Sequence, residues 1–178
     1  MRIGIFFLIL TLVSFSATAQ VSKKGKKYNY YVTIKDGSFT NSKPEQGASL
    51  KGIWNDGQMI ELNAWYGFNY GDIQRNFFFW NNELITVTEV HRLYNPKDPN
   101  LNLDSIPSCF NAQYVFEKGE LINIKQTGTY SFAEGPQDRK SMQDMYINFA
   151  RNYSALIHEK AESKRNRKKI KPSKNNLN

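Results

Sequence analysis

The residues able to transfer a proton or attack a carbonyl are few: two histidines, one cysteine and scattered carboxylates. His91 follows a strand expected over 84–90 and has Glu89 and Arg92 for neighbours. A histidine beside a carboxylate can serve as a general base, provided that it opens into a polar cleft. Cys109, in Pro107-Ser108-Cys109-Phe110, would need such a histidine to become a nucleophile, and no cysteine-hydrolase signature surrounds it. Its place at the start of a strand predicts burial. Glu117 and Glu120 flank one turn on the same side. Paired carboxylates can divide acid and base roles, but a hairpin end keeps these two solvated. The chain has no phosphate loop, Gly-x-Ser-x-Gly elbow or His-Glu-x-x-His motif. One cysteine supports neither a disulfide framework nor a cysteine zinc site. The expectation is a protein that is not an enzyme, with no metal and no cofactor.

Aromatic residues offer a different chemistry. Trp65, Tyr66, Phe68 and Tyr70 lie among Gly67, Asn69 and Gly71. Flat rings beside amide groups suit sugar or peptide recognition, because the ring supplies apolar area and the amide fixes orientation. The same alternation also describes a strand whose Tyr66, Phe68 and Tyr70 are core.

These residues sit in a chain of 178 with 24 basic and 16 acidic side chains. Residues 1–19 carry Arg2, an apolar run over 3–15 and Ala17-Thr18-Ala19. That is the pattern of a cleaved secretory signal peptide, and the run is too short to span a bilayer. Export to a bacterial periplasm or the extracellular space follows, with no transmembrane segment in the mature chain. The charge is at the ends. Lys164, Arg165, Arg167, Lys168, Lys169, Lys171 and Lys174 lie in 163–178 with no acid among them, and Lys23, Lys24, Lys26 and Lys27 lie near the start. Between 28 and 162 there are 12 basic and 16 acidic residues. The domain is therefore expected over 20–162, with a disordered basic tail at 163–178. Lys164 through Lys171 are candidates for contact with an anionic envelope surface. The tail has no aromatic ring to stack on single-stranded nucleic acid, and export removes nuclear roles, so no nucleic-acid partner is expected.

The body repeats. Gly52–Leu62, Phe77–Val87 and Tyr114–Ile124 align with Asp56-Gly57, Asn81-Asn82 and Lys118-Gly119 in register. Asp-Gly is a strong hairpin turn, whereas Lys-Gly predicts a different two-residue turn. A weaker copy surrounds Asp36-Gly37, within 31–40. Consecutive hairpins make an antiparallel meander, here of six to eight strands. Two-residue turns oppose Ile53 to Ile60, Phe78 to Ile85 and Val115 to Ile122. Period-2 alternation then adds Leu62, Val87 and Ile124 to that face, which is expected to be the core. The opposite face carries Trp54, Phe79 and Phe116 with Met59, Leu84 and Leu121 near the turns.

Beyond Gly135-Pro136 the period changes. Met142, Met145, Tyr146, Phe149, Tyr153, Leu156 and Ile157 form one stripe of an amphipathic helix over about 139–161, with Asp138 as N-cap. Its stripe is expected to cover the Ile/Val face, with His158 near the helix end. The predicted fold is α+β and mainly β: a curved meander of repeated hairpins with one C-terminal helix. An exported meander with a C-terminal helix resembles the lipocalin plan, and Gly52-Ile53-Trp54 is similar to that family's Gly-x-Trp signature. The resemblance implies an internal apolar ligand. It covers three residues, beside a tight turn rather than at the start of a long first strand.

The expected function is an exported binding domain that recognises a protein, peptide or glycan through an aromatic sheet face. Trp54, Phe79 and Phe116 would supply contact area, with Trp65, Tyr66 and Tyr70 alongside. The alternatives are a lipocalin-like carrier of a small apolar ligand and an envelope-associated inhibitor, immunity-type or structural protein.

Overall fold

A computed structural model describes residues 30–35, 39–40, 44–130 and 138–170. The expected signal peptide, the Asp36-Gly37 turn and the chain end from 171 lie outside the described residues. Seven antiparallel strands form one sheet in chain order: β1 (Tyr30–Ile34), β2 (Gly47–Asn55), β3 (Gln58–Phe68), β4 (Gly71–Trp80), β5 (Glu83–Leu93), β6 (Ser108–Glu117) and β7 (Glu120–Gly128). One helix, α1 (Arg139–Ile170), follows. The meander and the C-terminal helix are as the sequence predicts. Among the described residues β1 and β7 are free edges, so these strands form an open sheet rather than a barrel.

All three repeated hairpins turn in the same way. Asp56 and Gly57, Asn81 and Asn82, and Lys118 and Gly119 all have positive φ, as a type I′ turn requires. Lys118-Gly119 thus matches its two relatives. β1 departs from the repeat. It pairs with β2, Tyr31 opposite Ile53 and Ile34 opposite Leu50, across a connection far longer than a tight turn. Within 31–40 the only described strand is β1.

Each repeat also carries a register shift at the same place. Ile53 pairs with Glu61 but Trp54 with Met59. Phe78 pairs with Thr86 but Phe79 with Leu84. Val115 pairs with Asn123 but Phe116 with Leu121. Ile60, Ile85 and Ile122 are the skipped residues, each the extra residue of a β-bulge. The bulge breaks the alternation by one. Met59 and Leu62 both face inward, with Ile60 and Glu61 between them.

That shift corrects the expected faces. Ile60, Ile85 and Ile122 are exposed, on the side away from the helix. Leu62, Val87 and Ile124 belong to the other side, with Trp54, Phe77, Tyr114 and Phe116, and that side is the core. The helix therefore covers the Trp54/Phe116 face and not the Ile face. Its buried stripe is Tyr146, Ala150, Tyr153, Ile157 and Ala161, with Met142, Met145, Phe149 and Leu156 packed beside it.

Contacts at two places along the helix fix how α1 lies. At its start, Asp138 Oδ1 accepts from the Ser141 amide at 2.8 Å, the expected N-cap. Gln143 Oε1 accepts from the Leu121 amide at 2.9 Å, and Arg139 donates to the Ile122 carbonyl at 3.3 Å. The helix thereby satisfies part of the open edge of β7, which would otherwise invite another strand. Further along, Ile157 packs against Gly52, and the His158 ring meets Trp54 edge-on at 5.5 Å. The helix continues to Ile170, past the expected end near 161. His158 is therefore mid-helix and interacts with a ring rather than with the helix terminus. The first part of the expected tail is helical as well.

Candidate binding surface

The sequence candidates separate into three environments. Trp54 is 1% exposed and Phe116 is 4% exposed, both beneath the helix. They are core residues, and the expectation that they form an open aromatic face is corrected by the bulges. Phe79 is half-buried and lines a cleft. Trp65 and Tyr66 point to opposite sides, as neighbours on a strand must. Tyr66 is buried on the helix side, its hydroxyl bonded to that of Tyr153. Tyr70 is exposed in the β3–β4 turn and stacks on Phe68 at 5.8 Å. Of the basic residues, Lys164 is exposed. Arg165, Arg167, Lys168 and Lys169 lie within the helix, their side chains outside the described residues, as is all of Lys171.

The histidine and its carboxylate come together, but deep inside. Arg75 and Glu89 are direct cross-strand partners at the centre of the sheet. Their row continues to Ala64 on one side and Ala112 on the other. Those small residues leave room for groups from the helix. Glu89 Oε1 accepts from Arg75 Nη2 at 3.0 Å and lies 2.7 Å from His91 Nε2. Its Oε2 accepts from the Tyr146 hydroxyl at 2.5 Å. Arg75 also donates to Tyr130 at 3.2 Å and lies over the Phe149 ring at 5.0 Å.

Burial pushes the Glu89 carboxyl upward, but Arg75 and the donated hydrogen bonds outweigh it and hold Glu89 down at about 2. Burial, with Glu89 alongside, pushes Tyr130 up to about 12. Burial likewise raises Tyr146 and Tyr153 well above the ordinary phenol range. A catalytic role would need His91 to meet solvent, yet Glu89 and His91 are both 0% exposed. The arrangement is a buried polar lock between sheet and helix, in which Arg75 Nε is left without a hydrogen-bond partner among the described residues. Cys109 is half-buried and donates from Sγ to the His91 carbonyl at 3.4 Å.

A second ion pair lies on the outer side. Arg92 grips Asp72 through Nε and Nη2 at 3.0 and 2.9 Å. Tyr94 donates to the same carboxylate at 2.9 Å and Trp65 Nε1 at 3.2 Å. The Trp65 indole covers Gly67, where a methyl group would fall 2.5 Å from the ring. Trp65 is thus tied into a bonded cluster rather than standing free for a ligand. Next to it runs a polar rung. Asn63 donates to Asn76 at 2.9 Å, and Asn76 to Thr88 at 3.3 Å.

Beyond that rung, toward the hairpin tips, apolar residues gather on the outer side beside Glu61, Thr86 and Asn123. Tyr31, Ile53, Ile60, Phe78, Ile85, Val115 and Ile122 contribute one residue from each of the seven strands. Tyr31, Ile53, Phe78 and Val115 fall in one row of the register, whose other members are Glu61, Thr86 and Asn123, and the bulge residues Ile60, Ile85 and Ile122 each lie one position before these three. Tyr31 is 68% exposed, Ile122 48%, Ile85 38% and Ile60 37%. Glu117 and Glu120 remain solvent-exposed at the last turn, as expected. Strict alternation hides this ridge, because it assigns Ile53, Ile60, Phe78, Ile85, Val115 and Ile122 to the core. The signal is present in each repeat as two apolar residues, one polar and one apolar: Met59-Ile60-Glu61-Leu62, Leu84-Ile85-Thr86-Val87 and Leu121-Ile122-Asn123-Ile124.

Among the described residues, no group of three or more His, Cys, Asp or Glu side chains is placed to hold a metal ion. No described helix is long and apolar enough to cross a membrane. No family model, curated protein or solved structure matches the chain.

Proposed function

We propose that the chain is an exported protein-binding domain that docks a different protein on its outer ridge, through a flat apolar patch of that partner. The observation that carries this reading is the group of apolar side chains, one from each strand, on the side away from α1, where Tyr31, Ile60, Ile85 and Ile122 are exposed and Ile53, Phe78 and Val115 are half-buried between them. Extended apolar surface on a folded domain usually marks a site of association. The ridge is mostly branched aliphatic, with Tyr31 and Phe78 as its rings. Sugars favour flat aromatic platforms with polar groups alongside, so the composition favours a protein surface over a glycan. The bonded rung of Asn63, Asn76 and Thr88 supplies a polar border on one side, as interfaces with an apolar centre and a wet rim have.

The experiment replaces Ile60, Ile85 and Ile122 together by threonine in the full chain. Partner binding should fall at least tenfold while the folded state is kept, because all three side chains lie outside the core. Unchanged binding by the triple variant would refute the reading.

A further inference from the structure

A cleft of about 450 Å³ opens on the helix side, between α1 and the tips of the second and third hairpins. Its volume lies in the range of small-molecule sites. Phe79, Leu84, Ile147 and Ala150 give it apolar walls, and Lys118 and Arg151 give it two cations. Glu83 is the acid among its lining residues, so the cleft carries a net positive charge. Among the described residues neither Lys118 nor Arg151 is in an ion pair. Both are solvent-exposed, whereas Phe79 and Leu84 are half-buried. Lys118 is held at the tip of its turn, at φ 50°, and Arg151 is fixed on the helix one residue after buried Ala150. An apolar pocket with cations beside it is complementary to a molecule with a hydrocarbon body and one anionic head.

We infer that this cleft binds a free single-chain amphiphilic anion of the medium-chain carboxylate class. The chain would lie against Phe79, Leu84 and Ile147, and the carboxylate would pair with Arg151 and Lys118. Each pair with an exposed cation is weak by itself, so the two cations act together on one carboxylate while the apolar walls hold the chain. The site lies on the opposite side of the sheet from the ridge and does not depend on it.

The test measures binding of decanoate to the full chain by calorimetry, with decanol and decyltrimethylammonium as charge controls. The wild-type chain should bind decanoate at least tenfold more tightly than either control. Arg151→Glu should weaken decanoate at least tenfold, and Lys118→Asn should weaken it several-fold. Both positions are exposed, so circular dichroism should be unchanged, and the Ile60/Ile85/Ile122 threonine variant should bind decanoate normally. Equal affinity for the three ligands, no decanoate binding, or equal decanoate affinity in Arg151→Glu and the wild type would overturn the inference. So would binding to phosphatidylglycerol vesicles without binding to monomeric decanoate, since that would place the anion in a bilayer instead.

Discussion

Gly52 and Ile157 meet so closely that a methyl group on Gly52 would lie 2.5 Å from Ile157 Cγ2. The same methyl would fall 2.8 Å from the Trp54 ring. Glycine is therefore required at this point by space, because the helix rests on the β2 backbone with the Trp54 indole beside it. The Gly-x-Trp spacing of 52–54 has its physical meaning here: a ring laid over its neighbour's missing side chain.

Gly52→Ala should destabilise the protein by about 1–3 kcal/mol through overpacking. Ile157→Ala should cost about 2–5 kcal/mol through the cavity it leaves. The double variant should cost less than the sum, because the cavity accommodates the new methyl. Urea unfolding of the four proteins measures this coupling, and strict additivity would show that the helix does not rest on Gly52.

The buried polar lock predicts a defined pH response. Glu89 is held at about 2 in the fold against roughly 4.3 in an unfolded chain. A depressed carboxyl stabilises the fold above its unfolded value, and that contribution is lost as pH falls from about 4.3 toward 2. Glu89→Ala leaves Arg75 buried without its partner and should cost about 3–5 kcal/mol at pH 7. The gap between wild type and variant should narrow steadily below pH 4. At the other extreme, Tyr130 is raised to about 12 from about 10. Its contribution is complete below pH 10 and is lost as pH rises from 10 to 12. Denaturation midpoints across pH 2–12 check both limbs.

Lys118 adopts φ 50° without the local hydrogen bonding that makes asparagine tolerant of that region. Lys118→Asn creates an Asn-Gly turn, the strongest type I′ pair. It should raise stability by about 0.5–1 kcal/mol, or about 1–4 °C in Tm for a domain of this size. A scanning calorimetry trace that falls instead would show that the turn is held by other contacts.

The three tryptophans should be quenched by iodide in the order of their exposure. Trp80 is 69% exposed, Trp65 is half-buried and Trp54 is 1% exposed. Trp80→Phe should remove the most quenchable emission, and Trp54→Phe should leave a more quenchable remainder. The reverse order would place Trp54 outside the core.

Much of this architecture was legible in the residues. The turn pairs in register gave the hairpins, since positive φ confines those positions to a few residue types. The 3.6-residue period after Asp138 gave the helix and its buried face, from Tyr146 to Ile157. What failed was the side of the sheet. Strict alternation carried Ile60, Ile85 and Ile122 inward because one extra residue per repeat is invisible to a period-2 count. One skipped residue moves the side chains on its far side to the other face, so Leu62, Val87 and Ile124 lie in the core as expected, while Ile53, Phe78 and Val115 lie on the outer side and Trp54 and Phe116 lie in the core.

The polar lock was legible only as pieces. Glu89 and His91 were close in sequence, but Arg75, Tyr130 and Tyr146 reach them through cross-strand register and helix placement, which no local pattern contains. The cleft beside Phe79 likewise needs the helix, whose path over the sheet depends on Gly52.

The most direct test of the ridge is site-specific photo-crosslinking in the cells that make the protein. A photoreactive residue at position 85 of the full chain should crosslink one discrete partner protein of a different sequence, and the same probe at Asn111 on the outer side should not. Excess purified wild-type protein should compete that product away, and the Ile60/Ile85/Ile122 threonine variant should not compete. Equal crosslinking from position 111, equal competition by the variant, or a product consisting only of two copies of this chain would contradict the account.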